Sequence, residues 1–157
     1  MNVLFVCRDN CALSLMAESI LAAEAPKRFG AFSAGFVPGK AANPYVLEFL
    51  ATHDMHARNP FPKGLESFRM RGAPKMDFII TLCETAAAEN FSDWPDAPFI
   101  AHWNVQDERD DTATEAAYRD SFWTLMRRIK IFASLPQGAP DRRVLQRRAL
   151  TLRASYL

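Results

Sequence analysis

The residues best suited to chemistry form a short connection near the start of the chain. It joins an apolar run, Val3 to Val6, to a helical pattern that begins at Ser14. A link of this length must curl back over the N-terminus of the helix, so its backbone N–H groups form a concave anion site. Cys7, at the base of that site, would have a lowered pKa and act as a nucleophile on an oxyanion. A buried cysteine that merely packs as a small hydrophobic residue is the alternative.

The chain has three cysteines, Cys7, Cys11 and Cys83, which cannot all pair with one another. In a reducing compartment such thiols are usually catalytic, metal-binding or simply part of the core. Zinc sites have four ligands in familiar spacings, and Cys7 and Cys11 with His102 do not follow such a spacing. We therefore predict no metal site.

The elements around this connection alternate between strands and helices. Beyond Val3–Val6, the predicted strands are Ala31–Ala34, Phe78–Leu82 and Pro98–Ala101, and the main later helices are Asn43–His53 and Thr114–Leu135. This alternation predicts an α/β fold, a parallel sheet covered by helices on both faces. Ligands of such sheets bind at the carboxyl edge, where Cys7, Gly35, Cys83 and the segment after Ala101 should meet.

Length and composition indicate one globular domain over residues 1–157. Hydrophobic residues make up 49% of the chain, charged residues 24%, and the net charge is +1, which gives no reason to expect a nucleic acid partner. No run approaches the roughly 18 apolar residues that span a bilayer, and no signal-like segment is present, so we expect a cytoplasmic protein without a membrane partner. An arginine-rich helix predicted at about 139–154 is either a solvated helix face or a surface for an anionic partner.

Several segments, in order, resemble the low-molecular-weight tyrosine phosphatases and the thioredoxin-linked arsenate reductases. They include VLFVC-x-x-N followed by S-x-MAE, then FSAG, NPYVLEFL, APKMDFIITLCETAAAE, WPDAPFIAHW and FWTLMRRIKIFASLP, and together they span roughly residues 2 to 136. The resemblance implies a three-layer αβα sandwich with a four-stranded parallel sheet in flavodoxin-like order. Cys83 and the pair His102-Trp103 place the chain nearer the reductases.

The resemblance also implies roles for individual residues. Cys7 falls at the nucleophile, Asp107 at the general acid, and Cys83 at the first resolving cysteine of the reductases. Asn10, Ser14 and Ser33 match polar residues that hold the loop and its thiolate. The family's anion-binding loop corresponds to Arg8, Asp9, Asn10, Cys11, Ala12, Leu13 and Ser14. We call residues 7–14 the Cys7 loop.

For ligands, the resemblance implies a small oxyanion such as arsenate, phosphate or sulfate, or a phosphorylated substrate. It implies no bound cofactor. A reductase would need an external thiol reductant, namely thioredoxin, glutaredoxin or glutathione.

Four positions depart from the family pattern. Leu13 stands where the family has the arginine that binds two oxygens of the anion, and leucine cannot donate a hydrogen bond. Asp9 stands where glycine is usual, and its charge should oppose an oxyanion and raise the pKa of Cys7. The second resolving cysteine is absent around Asn90, and Glu108 replaces a proline after Asp107.

These departures leave two hypotheses. The first is an arsenate-reductase-like or phosphatase-like enzyme with impaired activity, in which Cys11 or Cys83 could still form a disulfide with Cys7. The second is a catalytically silent member that binds a partner, regulates or senses redox state. Arg8 could replace the missing cation only by folding over the site, whereas a side chain at that position should point outwards.

Overall fold

The computed structural model describes residues 1–105, 114–134 and 142–152. The strands are β1 Asn2–Cys7, β2 Gly30–Gly35, β3 Phe78–Thr81 and β4 Phe99–His102. The helices are α1 Leu13–Glu24, α2 Pro44–Ala51, α3 Glu66–Arg69, α4 Glu84–Ala87, α5 Glu115–Ala133 and α6 Arg142–Thr151. None of the helices in these ranges is long and apolar enough to cross a membrane.

The four strands form one parallel sheet in the order β2-β1-β3-β4, which confirms the predicted sheet and its flavodoxin-like order. β1 lies inside the sheet, and Val3 to Val6 are completely buried because both faces of the sheet are covered. In the register, Cys7 is opposite Gly35 and Val6 is opposite Thr81. The ends of β1, β2 and β3 therefore meet at one edge.

Two helices, α2 and α5, begin at a residue whose side chain caps the helix. Asn43 caps α2, since its side chain accepts a hydrogen bond from the Val46 amide at 3.2 Å and Pro44 occupies the first turn. Thr114 caps α5 in the same way through the Ala117 amide at 3.3 Å. The predicted end of this helix at Leu135 lies outside the described residues.

Two predicted helices have different bounds in the structure. α1 begins at Leu13, one residue earlier than predicted, and α2 ends at Ala51 rather than at His53. The alanine-rich segment after Cys83 is helical only over Glu84–Ala87. An isolated helix of one turn gains little from its own hydrogen bonds, so alanine content alone does not extend it.

The arginine-rich helix α6 packs on the domain. Leu145, Ala149 and Leu152 are buried in the common core, and the indole N–H of Trp103 donates to the Ala149 carbonyl at 3.0 Å. Arg147 lies on the exposed side of the helix. Of the predicted range 139–154, the structure describes residues 142–152.

Candidate functional site

The Cys7 loop leaves the carboxyl end of β1 and closes over the start of α1. Its outer side is fixed by the segment that follows β2, because the carbonyls of Arg8, Asp9 and Cys11 accept hydrogen bonds from that segment at 2.7 to 2.9 Å. Asn10 adopts a left-handed backbone with φ of 58°, which asparagine tolerates better than most residues. Gly35 makes this approach possible, since a Cβ there would lie 2.6 Å from the Asp9 carbonyl carbon.

The sulfur of Cys7 lies under this loop and is held by polar groups. Its Sγ is 2.9 Å from Ser14 Oγ and accepts a hydrogen bond from the Asn10 amide at 3.3 Å. The Asn10 side-chain amide donates to Ser14 Oγ at 2.8 Å, which leaves the Ser14 hydroxyl proton available to the sulfur. Asn10 Oδ1 in turn accepts from the Lys63 amide at 2.8 Å. Asn10 and Ser14 therefore hold the thiol, as the resemblance implies.

The electrostatics of the sulfur differ from the sequence expectation. Burial raises the pKa of Cys7, because only 4% of the residue is exposed and a thiolate is poorly solvated there. Hydrogen bonds from Ser14 and Asn10 lower this pKa, and the Asp9 carboxylate raises it. The prediction of a lowered pKa is wrong, since burial outweighs the hydrogen bonds.

Asp9 occupies part of the loop with its own carboxylate. Asp9 Oδ1 accepts a hydrogen bond from the Cys11 amide at 2.9 Å, so this amide is already bound to an anionic group. Burial and the charge of Asp9 raise the pKa of Cys11 to about 11. Cys11 is packed tightly as well, because a Cβ on Gly39 would lie 2.2 Å from its sulfur. Cys11 is thus a poor nucleophile at neutral pH.

The side chain of Leu13 is at the position where the family has an arginine. Leu13 is 8% exposed and belongs to the hydrophobic core, whereas the Arg8 side chain is exposed. The ammonium group of Lys63 donates to the carbonyls of Asn59 and Phe61 and lies 4.0 Å from a Glu18 carboxylate oxygen.

The hydroxyl of Ser33 is hydrogen-bonded to α1 rather than to the sulfur of Cys7. This hydroxyl donates to Glu18 Oε2, and this carboxylate is the one that faces Lys63. Burial raises the pKa of Glu18, while the Ser33 hydrogen bond and the charges of Lys63 and Arg58 lower it. Sequence reasoning missed Glu18 as part of the site. Its signal was a charged residue in the middle of α1, flanked by apolar and small residues.

Cys83 lies at the same edge of the sheet as Cys7. It follows β3 at the first position before α4 and is 1% exposed. The Leu82 amide donates to the Val6 carbonyl at 2.8 Å, which brings this part of the chain next to the end of β1. Asp107 lies outside the described residues. Within the residues that are described, no three His, Cys, Asp or Glu side chains are close enough to hold a metal ion.

The family to which this chain belongs is identified by comparison with known proteins. Residues 2–110 match the model of the low molecular weight phosphotyrosine protein phosphatases, more than half of the chain. The chain therefore belongs to this family. A search of curated proteins finds no match.

Solved structures with the same fold include both arsenate reductases and tyrosine phosphatases. An arsenate reductase of Archaeoglobus fulgidus is 27% identical, with a TM-score of 0.66 over 82% of this chain and 95% of its own. A thioredoxin-dependent arsenate reductase of Corynebacterium glutamicum is 25% identical, with a TM-score of 0.63 over 82% of this chain and 58% of its own. A tyrosine phosphatase of T. tengcongensis, at 23% identity, shares the fold with a TM-score of 0.68 over 83% of this chain and 95% of its own.

Proposed function

We propose that this protein is an arsenate-reductase-like enzyme of weak activity, in which Cys7 attacks an oxyanion. The observation that supports this most directly is the Cys7 sulfur beneath the loop, 2.9 Å from Ser14 Oγ and 3.3 Å from the Asn10 amide. These donors stabilise a thiolate once it forms. The similarity to arsenate reductases at 25% and 27% identity favours arsenate over a phosphate ester.

The proposed reaction uses two thiols and an external reductant. The Cys7 thiolate bonds to the arsenic of arsenate, and Asp107 gives a proton to the oxygen that leaves as water. The Cys83 thiolate then attacks the Cys7 sulfur, forming a disulfide, and the sulfur–arsenic electron pair stays on arsenic as arsenite is released. Arsenic is reduced by two electrons and the two thiols are oxidised. A thioredoxin, glutaredoxin or glutathione supplies two electrons to restore them, as expected in a reducing cytoplasm.

The direct test is turnover of arsenate by the purified protein with a thioredoxin system and NADPH. We expect slow NADPH consumption that depends on arsenate and disappears in the Cys7→Ser and Cys83→Ser variants. A rate equal to that of Cys7→Ser would contradict the proposal. Retention of the full rate in Cys83→Ser would remove Cys83 from the mechanism and leave Cys7 in place.

Leu13 is proposed to be the main cause of weak activity. The family's arginine would bind two oxygens and balance charge in the transition state, and by analogy with arginine fingers such a group is worth about 10³–10⁵ in rate. Leu13→Arg, alone or combined with Asp9→Gly, should therefore increase hydrolysis of an aryl phosphate by at least about tenfold. Because Leu13 is buried, a circular dichroism spectrum must first show that the variant folds. A folded variant that is no faster than the unmodified protein would contradict this explanation.

A catalytically silent, binding or redox-sensing protein is the second candidate. It is favoured by the 4% exposure of Cys7 and by the Asp9 carboxylate that already binds a loop amide. The pH dependence of Cys7 alkylation separates the two candidates. A silent site predicts alkylation that stays slow until pH exceeds the free thiol value of about 8.5, whereas a working nucleophile reacts below it.

A further inference from the structure

A cavity of about 340 Å³ lies away from the Cys7 loop. Its lining includes Met1, Gly30 and Ala31, which are at the amino ends of β1 and β2. The Cys7 loop is at the opposite ends of these six-residue strands, about 16 Å away at a rise of 3.3 Å per residue. The cavity is therefore distant from the Cys7 sulfur, although it shares Glu18 with the contacts described above.

The walls of this cavity are strongly cationic. Lys27, Arg28 and Arg58 line it together with His56, and none of the three basic side chains forms an ion pair with a described residue. Glu18 is the one acidic residue of the described lining, and it already faces Lys63 at 4.0 Å. Glu18 also interacts electrostatically with Arg58, but one carboxylate cannot balance three basic side chains. The lining therefore keeps a net positive charge, which would attract an anion.

One polar wall of the cavity is buried and held in place. Glu18 is 6% exposed, and the Ser33 hydroxyl fixes one of its carboxyl oxygens. A carboxylate accepts several hydrogen bonds, so the group can also receive a hydroxyl proton from a ligand. A buried acceptor beside exposed cations suits a molecule with an anionic end and a hydroxyl-bearing end.

We propose that this cavity binds a small organic phosphate that carries hydroxyl groups. A phosphate dianion would be bound by Lys27, Arg28 and Arg58, since guanidinium groups bind two phosphate oxygens at once. A hydroxyl of the ligand would donate to Glu18. The volume is at the lower end of the range for small-molecule sites, which fits a small metabolite rather than a nucleotide.

The test is a titration with glycerol 2-phosphate, followed residue by residue through NMR amide shifts. Cys7→Ser is used beside the unmodified protein so that no ester is hydrolysed during the measurement. We expect saturable shifts at Ala22, Gly30 and Ala31 in both proteins, and none with glycerol alone. Arg58→Ala should weaken binding by about ten- to a hundredfold, which is the loss expected for a hydrogen bond to a charged group.

Arg71→Ala is the matched control, because Arg71 is an exposed arginine outside the cavity lining. It should bind as tightly as the parent protein. Shifts confined to residues 7–14, shifts that do not saturate, or equal affinities of Arg58→Ala and Arg71→Ala would each overturn the proposal. Shifts confined to residues 7–14 would place the phosphate at the Cys7 loop, which agrees with the proposed function while it overturns the cavity. The arsenate turnover assay measures the chemistry of Cys7 separately.

Discussion

At the scale of single residues, Asp9 and Leu13 change the Cys7 loop in different ways. Leu13 is uncharged and cannot bind an oxyanion as the family's arginine would. Asp9 adds a negative charge, and its carboxylate already accepts the hydrogen bond of the Cys11 amide. Asp9 also raises the pKa of both Cys7 and Cys11. The loop keeps the hydrogen bonds that hold its sulfur, but its charge is unfavourable for an anionic substrate.

Asp9→Asn isolates the charge effect, since asparagine can still accept the hydrogen bond from the Cys11 amide. Removal of the negative charge should lower the pKa of Cys7. Below that pKa each unit of decrease raises the thiolate fraction tenfold, so we expect alkylation of Cys7 at pH 7.5 to accelerate by about three- to tenfold. The rate is measured for Cys7 by peptide mass spectrometry, separately from Cys11.

Asp93→Asn, an exposed aspartate between α4 and β4, is the control and should leave the rate unchanged. If Asp9→Asn reacts no faster than this control, the charge of Asp9 does not contribute measurably to the raised pKa of Cys7.

At the scale of elements, a chain of contacts joins α1, β2 and the segment before α3 to the Cys7 loop. Ser33 of β2 donates to Glu18 of α1, and Glu18 faces the Lys63 ammonium group at 4.0 Å. The Lys63 amide binds Asn10 at 2.8 Å, and its carbonyl accepts from the Gly35 amide at 2.7 Å. The charge of the Glu18 carboxyl therefore affects how α1, β2 and the segment before α3 pack together.

Glu18→Gln should change how stability depends on pH. Burial raises the pKa of Glu18 in the folded protein, so its contribution to stability is fully present below the unfolded value of about 4.3 and is lost as pH rises through the folded value. Glutamine does not titrate, so the variant does not lose this stability as pH rises. The free energy of unfolding of Glu18→Gln, relative to the unmodified protein, should therefore increase between about pH 4 and pH 7 in urea titrations.

Glu24→Gln, an exposed position on the same helix, provides the comparison and should show a much smaller pH-dependent difference. A Glu18→Gln difference that is constant with pH would mean that the Glu18 carboxyl does not titrate differently in the folded and unfolded states.

At the scale of the whole molecule, α6 completes the hydrophobic core beside β4 and α5. Leu145 is completely buried, and the indole of Trp103, itself completely buried, donates to the Ala149 carbonyl of this helix. The single domain expected over residues 1–157 requires this helix to contribute to the stability of the rest.

Leu145→Ala tests that requirement. Removal of a buried leucine side chain typically costs 2–5 kcal/mol, so we expect a loss of about this size in one cooperative urea transition. Leu150→Ala, on the same helix but 53% exposed, should cost less than about 0.5 kcal/mol. Equal, small effects of both substitutions would show that α6 is not part of the cooperative unit.

The parallel sheet followed from local sequence patterns, whereas its strand order was implied by the family resemblance. Val3–Val6 and Phe78–Leu82 are short apolar runs that suit buried parallel strands, and the helices between them require crossovers that place the strand ends at one edge. The resemblance implied that Asn10 and Ser14 hold the thiol, and both contact the Cys7 sulfur within one short loop. Such features depend on residues that are near one another in the chain.

The pKa of Cys7 and the partner of Ser33 were decided only by the tertiary structure. A pKa depends on the balance between burial and hydrogen bonds, and burial is set by elements far away in the sequence. Glu18 and Ser33 are 15 residues apart and meet only because α1 packs against β2. The sequence by itself therefore determined the architecture and the placement of the sulfur under its loop. Three-dimensional packing determined how exposed, how charged and how reactive that sulfur is.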